Sequence, residues 1–312
     1  MDLLTHTLSG LAVAQAGFRQ RIGRIAFVAV TAGAVAPDLD NATALWDQFS
    51  AIRYHRGLTH SLLGGIPLAL LIAWPITRWG GHRRYRDIAG LVYLGILVHI
   101  GLDLITPFGT KVLYPFSTAR FALDLAFVID PVLTAAFAVP LVIAWRQPRL
   151  AKRAVEVGFA VGLLYLGLAA GARGLATSRF EAALAQHGLP TSPVAVVPQF
   201  PGPFRWMALA ESPSGLHQAT VNLAHSGPVP LRLFEQAPRN GFVERTDSIE
   251  SVRLFRTFTH FPWIRYVQRG DDHIVEYRDL RFGTDRAIHD MVLRVVLDPS
   301  GAVRRVDFNH RF

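Results

Sequence analysis

The chain has 312 residues, 51% of them hydrophobic, a formal net charge of +9 and no cysteine. That length leaves room for two domains, and the apolar share is high for a soluble protein. The missing thiols exclude disulfides, thiolate metal sites and cysteine nucleophiles; the basic residues fall in short clusters between apolar runs, which argues for membrane topology and against nucleic acid as a partner.

The N-terminus, Met1-Asp2-Leu3-Leu4-Thr5-His6, has no basic n-region or small-residue cleavage site and reads as mature sequence. Apolar runs at residues 3–18 and 25–37 are short for a spanning helix, which needs about 20 residues. Those at 61–79, 88–105, 121–145 and 154–175 suffice. The expected fold class is an α-helical integral membrane bundle over residues 1–175, of about four to six helices with the first two short. Basic residues cluster at Arg19, Arg21 and Arg24, at Arg78, Arg83, Arg84 and Arg86, and at Arg146, Arg149, Lys152 and Arg153. The positive-inside rule makes these loops cytoplasmic. Alternating passage then puts the opposite helix ends, and residues 176–312, on the extracytoplasmic side.

Ionisable residues gather at those opposite ends. His6 opens the first apolar run. Asp38 and Asp40 close the second in Pro37-Asp38-Leu39-Asp40, where a turn or cap would be the ordinary reading. His55-Arg56-Gly57-Leu58-Thr59-His60-Ser61 leads straight into the third, a mixture hard to explain as core filling. In His99-Ile100-Gly101-Leu102-Asp103 a spacing of four puts imidazole and carboxylate on one helix face, about 6 Å apart at Cβ. Charged groups inside a spanning helix are costly and default to function.

Together, His6, Asp38, Asp40, His55, His60, His99 and Asp103 suit zinc or another divalent ion that takes nitrogen and oxygen ligands, manganese being the alternative. They exceed the needs of one catalytic zinc, so one ion or two stays open. Such a site activates water and clamps the oxygens of an in-line displacement. Arg56 would bring charge to an anionic substrate, and Thr59 or Ser61 a hydrogen bond. Asp130, before Pro131 in the 121–145 run, is expected to orient a ligand histidine or hold a helix from behind. The turn-formers and aromatics of residues 106–117 would form the lip.

These residues resemble the YdjM family. The resemblance rests on Met1-Asp2 with Thr5-His6, Ala36-Pro37-Asp38-Leu39-Asp40, His55-Arg56-Gly57-Leu58-Thr59-His60-Ser61, His99 with Asp103, Gly109-Thr110 and Pro115-Phe116-Ser117, and covers residues 1 to about 145. It implies a multi-pass protein of the bacterial inner membrane, described as a metal-dependent hydrolase, in a long form with a soluble C-terminal domain. His-x-x-x-Asp on helices is also similar to zinc-dependent phospholipase C and P1-type nucleases, by analogy of chemistry only.

Residues 176–312 read as a small α+β domain, mainly antiparallel, with strands at 204–211, 216–223, 266–268, 273–280, 291–297 and 303–308 and a helix at 249–258. His217, His260, His273, His289 and His310 share no spacing and read as ordinary surface or sheet residues. The leading expectation is a membrane-bound metal-dependent hydrolase acting on a phosphoester or ester in a lipid-like substrate, with the bilayer as its other partner. The alternative is a non-enzymatic, metal-stabilised membrane receptor or assembly protein. A transporter ranks third, since no internal repeat is evident.

Overall fold

Asp2 stands in extended backbone and accepts the Thr5 amide, the cap that starts α1 (Leu3–Val13). A computed structural model describes the chain except residues 46, 48, 82, 83, 192, 284–290 and 311–312. Arg83, His289 and the side chain of His310 therefore lie outside the described residues. The chain divides into two units, one of Met1–Thr43, Tyr54–Ala172 and Pro198–Pro203, the other of Ala44–Arg53, Arg173–Val197 and Phe204–Phe312.

In the first unit, α1 continues through a π-helical turn into α2 (Arg19–Ile22), followed by α3 (Ile25–Val35). A 3-10 stretch, Ala36–Leu45, and the short α4 (Ser50–Tyr54) lead to α5 (Leu62–Trp79), α6 (Tyr85–Leu104), α7 (Pro131–Arg146) and α8 (Ala151–Gln186), of which residues 44–53 and 173–186 belong to the second unit. Among the described residues, Leu62–Trp79, Tyr85–Leu104 and Pro148–Gln186 are long and apolar enough to cross a membrane. Helices α1 and α3, at 11 residues each, are the expected short ones.

The core is centred on α6, where Ile88, Val92, Ile96 and Ile100 meet Ala26, Ala29 and Val30 of α3 and Ala69 and Ala73 of α5. Glycine sets the closest approach. A Cβ on Gly33 would lie 2.0 Å from the Val92 carbonyl oxygen, and one on Gly95 2.1 Å from that of Val30. Contact of the α3 and α6 backbones, typical of small residues in membrane bundles, fixes the turn after α3 against the end of α6.

The apolar run at 121–145 is not one helix. Only α7 forms, because Asp130 caps it through the Val132 and Leu133 amides and Pro131 occupies the first helical position, where no amide is needed. Upstream, the amides of Leu123, Leu125 and Ala126 instead bond the carbonyls of Leu104 and Ile105. The segment thus satisfies carbonyls that the end of α6 leaves open.

The second unit contains two four-stranded antiparallel sheets. One has the order β1 (Val194–Pro198), β2 (Arg205–Ser212), β3 (Gly215–Asn222) and β4 (Arg232–Glu235); α9 (Gly241–Thr246) and α10 (Glu250–Phe258) follow. The other sheet has the order β5 (Pro262–Arg269), β6 (Asp272–Asp279), β7 (Met291–Leu297) and β8 (Val303–His310). Leu209, Leu216, Phe234, Phe261, Trp263 and Leu280 form one core cluster, and α10 buries Val252, Phe255 and Phe258. The sequence reading lacked β1, β4 and α9, and the strand expected at 266–268 spans all of β5.

Candidate metal centre

Four segments of the first unit deliver their ionisable side chains to one place. His6 comes from α1, Asp38 from the turn after α3, His60 from the 3-10 turn before α5, and His99 with Asp103 from the last turns of α6. His6, His60, His99 and Asp103 are fully buried, and Asp38 is 21% exposed.

The polar atoms face each other at distances too long for hydrogen bonds. His60 Nε2 lies 3.4 Å from Asp38 Oδ1 and 3.5 Å from Asp103 Oδ2; His99 Nε2 lies 3.6 Å and 3.5 Å from the same atoms. His60 Nε2, His99 Nε2 and Asp103 Oδ2 have no hydrogen-bond partner among the described residues. Burying such atoms unpaired is costly. Zinc bonds of about 2.0–2.1 Å in a tetrahedron put ligand atoms about 3.3–3.4 Å apart, so the spacing fits four donors around one ion. His6 stands beside this group, its ring stacked on His99 at 3.7 Å and its Nε2 3.4 Å from Asp103 Oδ1 and 4.0 Å from Asp38 Oδ2.

The surroundings aim these donors. His99 Nδ1 is 2.8 Å from the Ala34 carbonyl, a bond that requires the proton on Nδ1 and turns the Nε2 lone pair inward. His60 Nδ1 faces Asp40 Oδ2 at 3.2 Å, with the same consequence. Asp40 also meets His55 Nδ1 at 2.7 Å and accepts from Thr59 at 2.6 Å. Asp40, His55 and His60 are close enough to hold an ion as a second group. Both Asp40 oxygens are already engaged, however, and His60 would have to serve each group through a different nitrogen.

Electrostatics favour anionic carboxylates on the turn. Burial pushes the Asp38 carboxyl up, but the facing His60 and His99 imidazoles outweigh it and bring the group down to about 2. For Asp40 burial acts the same way and is outweighed by His55 and His60, which hold it below the ordinary carboxylate range.

The remaining expected residues are committed to the protein. Arg56 is buried and bonds Asp103 Oδ1 at 2.8 Å and Thr106 Oγ1 at 2.9 Å, with Phe108 under its guanidinium at 4.8 Å. Thr59 donates to Asp40 and faces His60 Nδ1 at 3.0 Å. Ser61 caps α5 by accepting the Gly64 amide and donates to the Leu58 carbonyl, which leaves its hydroxyl no proton for a substrate. Among the described residues Asp130 bonds no histidine; it caps α7 and accepts from Tyr165 at 2.6 Å. Thr106 was not singled out from sequence, and only its place one turn beyond Asp103 could have marked it.

Residues 1–176 match the profile of a family described as YdjM inner membrane protein. A relative in Bacillus subtilis (strain 168), described as uncharacterized protein YfhP, is 27% identical over 138 residues, which is 42% of this chain and 42% of that protein. The alignment thus spans less than half of that relative's length. No solved structure matches.

Proposed function

Because this chain belongs to the YdjM inner membrane protein family, we propose that the histidine–aspartate cluster is the metal centre of a membrane-embedded hydrolase acting on a phosphoester or other ester of a lipid-like substrate. The observation that carries this reading is the convergence of His60 Nε2, His99 Nε2 and Asp103 Oδ2, buried and unpaired among the described residues, on Asp38. A divalent ion held there, zinc by its donor set, would lower the pKa of bound water and polarise the ester oxygen.

The chain's own residues supply the rest. Arg56 holds the Asp103 carboxylate in one orientation. Ala34 and Asp40 fix the tautomers of His99 and His60, so that neutral imidazoles present lone pairs inward. Asp38 alone among the donors has appreciable exposure, 21%, and marks the side on which water and substrate approach. The positive-inside rule puts this side, and the second unit, outside the cytoplasm. Exposed Leu39 and Leu58 adjoin Asp38 and Thr59 in the chain, which favours a substrate with an apolar part.

The test is hydrolysis of a chromogenic phosphodiester and of phospholipid in mixed micelles by the full chain, beside Asp38→Asn. Metal-dependent turnover lost in the variant supports the reading. Turnover equal in both, or none from metal-loaded protein, refutes it. The number of donors favours a second reading, a metal-stabilised receptor or assembly protein: with His6 included, five side chains could close the coordination of one ion. Metal that stays bound without turnover on either substrate would support it.

A further inference from the structure

Helices α7 and α8 form a cavity of 830 Å³ remote in sequence from the metal centre, within the range of about 300–1,000 Å³ of small-molecule clefts. Its walls are Val132, Val139 and Ile143 of α7 and Val157 and Val161 of α8, each between 38% and 55% exposed. The floor is closed by contact of the two helices. A Cβ on Gly158 would lie 2.5 Å from both the Ala136 carbonyl oxygen and Pro140 Cγ. From Val132 to Ile143 the groove runs about 16 Å along α7, close to one leaflet of a hydrocarbon core about 30 Å thick.

One end differs from the rest. Arg153 lines the groove there, in the stretch that also carries Arg146, Arg149 and Lys152. Lys152 pairs with Glu156 at 3.6 Å, and Arg153 makes no ion pair among the described residues. An apolar trough one leaflet long that ends at an unpaired guanidinium matches a molecule with an acyl chain and an anionic headgroup. A second copy lying parallel fits poorly, because it would bring identical basic stretches together.

We infer that this groove seats one acyl chain of an anionic phospholipid, with the headgroup phosphate on Arg153. Binding here does not depend on the hydrolase reading, since no proposed ligand lines the groove.

Full-length protein in detergent, exchanged with equimolar phosphatidylglycerol and phosphatidylcholine of the same chains, can be weighed by native mass spectrometry. Wild type is expected to retain phosphatidylglycerol several-fold over phosphatidylcholine. Arg153→Gln should weaken phosphatidylglycerol retention about fivefold and leave phosphatidylcholine unchanged, whereas Arg153→Lys should keep the preference. Val139→Trp, which fills the groove, should remove both adducts from protein with an unchanged size-exclusion profile. Equal retention of the two lipids by wild type, or Arg153→Gln protein that keeps the preference, would overturn the inference. So would a lipid-free dimer that Val139→Trp dissociates, which would assign the groove to a second copy.

Discussion

Arg56 Nη2 lies 2.8 Å from Asp103 Oδ1, with the arginine side chain 5% exposed and the aspartate wholly buried. Arg56 has φ of 57°, in the left-handed region that a residue with a Cβ enters at a cost of about 1–2 kcal/mol. Its bonds to Asp103 and Thr106 and the Phe108 ring beneath it offset that strain. The guanidinium orients a proposed metal ligand and is not free to meet substrate.

Arg56→Met leaves the buried Asp103 carboxylate with the Met1 amine as its remaining cationic partner, a loss of up to about 3 kcal/mol. Thermal unfolding in detergent should show a large fall in midpoint and metal content should drop with it. Arg56→Lys keeps the charge but loses the fork, and should fall between. A wild-type midpoint for Arg56→Met would show that Asp103 does not rely on this partner.

The α3–α6 contact makes a different prediction. Gly95→Ala would force its methyl toward the Val30 carbonyl, and overpacking of this kind costs about 1–3 kcal/mol. Because α3 leads into the Asp38 turn, metal affinity should weaken too. Gly90→Ala, on the same helix with nothing within 4 Å of the new methyl, should be neutral or slightly stabilising in the same melts. Equal effects of the two would remove the close crossing as the element that positions the turn.

Asp130→Ala tests whether this residue serves a helix or an imidazole. It removes the α7 cap and the bond from Tyr165, so stability should fall by about 1–2 kcal/mol. Metal content should stay at the wild-type level. Loss of metal with unchanged stability would return Asp130 to the centre.

In the second unit, Glu276 is largely buried between Arg294 at 2.8 Å, Arg278 at 3.3 Å and Arg265 at 4.0 Å. Burial pushes its carboxyl up, but the hydrogen bond from Arg294 and the three guanidinium charges hold it below its ordinary value of 4.5. A depressed carboxylate stabilises the fold above its unfolded pKa, and that contribution is lost as pH falls through the folded pKa. The protection factors of the β6 and β7 amides, taken relative to the slower intrinsic exchange in acid, should therefore fall as the pH drops below about 4.5. Glu276→Gln should show faster exchange at neutral pH and a flatter acid response; unchanged exchange would contradict it.

Much of this architecture is legible in the residues, and the failures have physical causes. Helices α5 and α6 announce themselves because bilayer-length apolar runs have few other fates. The start of α7 was hidden inside such a run, although Asp130-Pro131 carried the cap-and-first-turn signature that overrides hydropathy. Ser61 was open to the same correction, being a cap residue directly before an apolar helix. Strands β1 and β4 are short and take their identity from neighbours across the sheet, which no local pattern records. At the centre, the spacing of His99 and Asp103 revealed their shared face. The engagement of Arg56 depends on a left-handed residue and a contact between distant segments, and neither is written in spacing.

The most direct test of the metal centre is elemental analysis of the detergent-purified full chain beside His99→Ala and His60→Ala. About one zinc per wild-type chain, lost in both variants while the helical circular dichroism persists, is the predicted result. Wild-type protein that binds no divalent ion after incubation with zinc or manganese, or variants that retain a full complement, would contradict it.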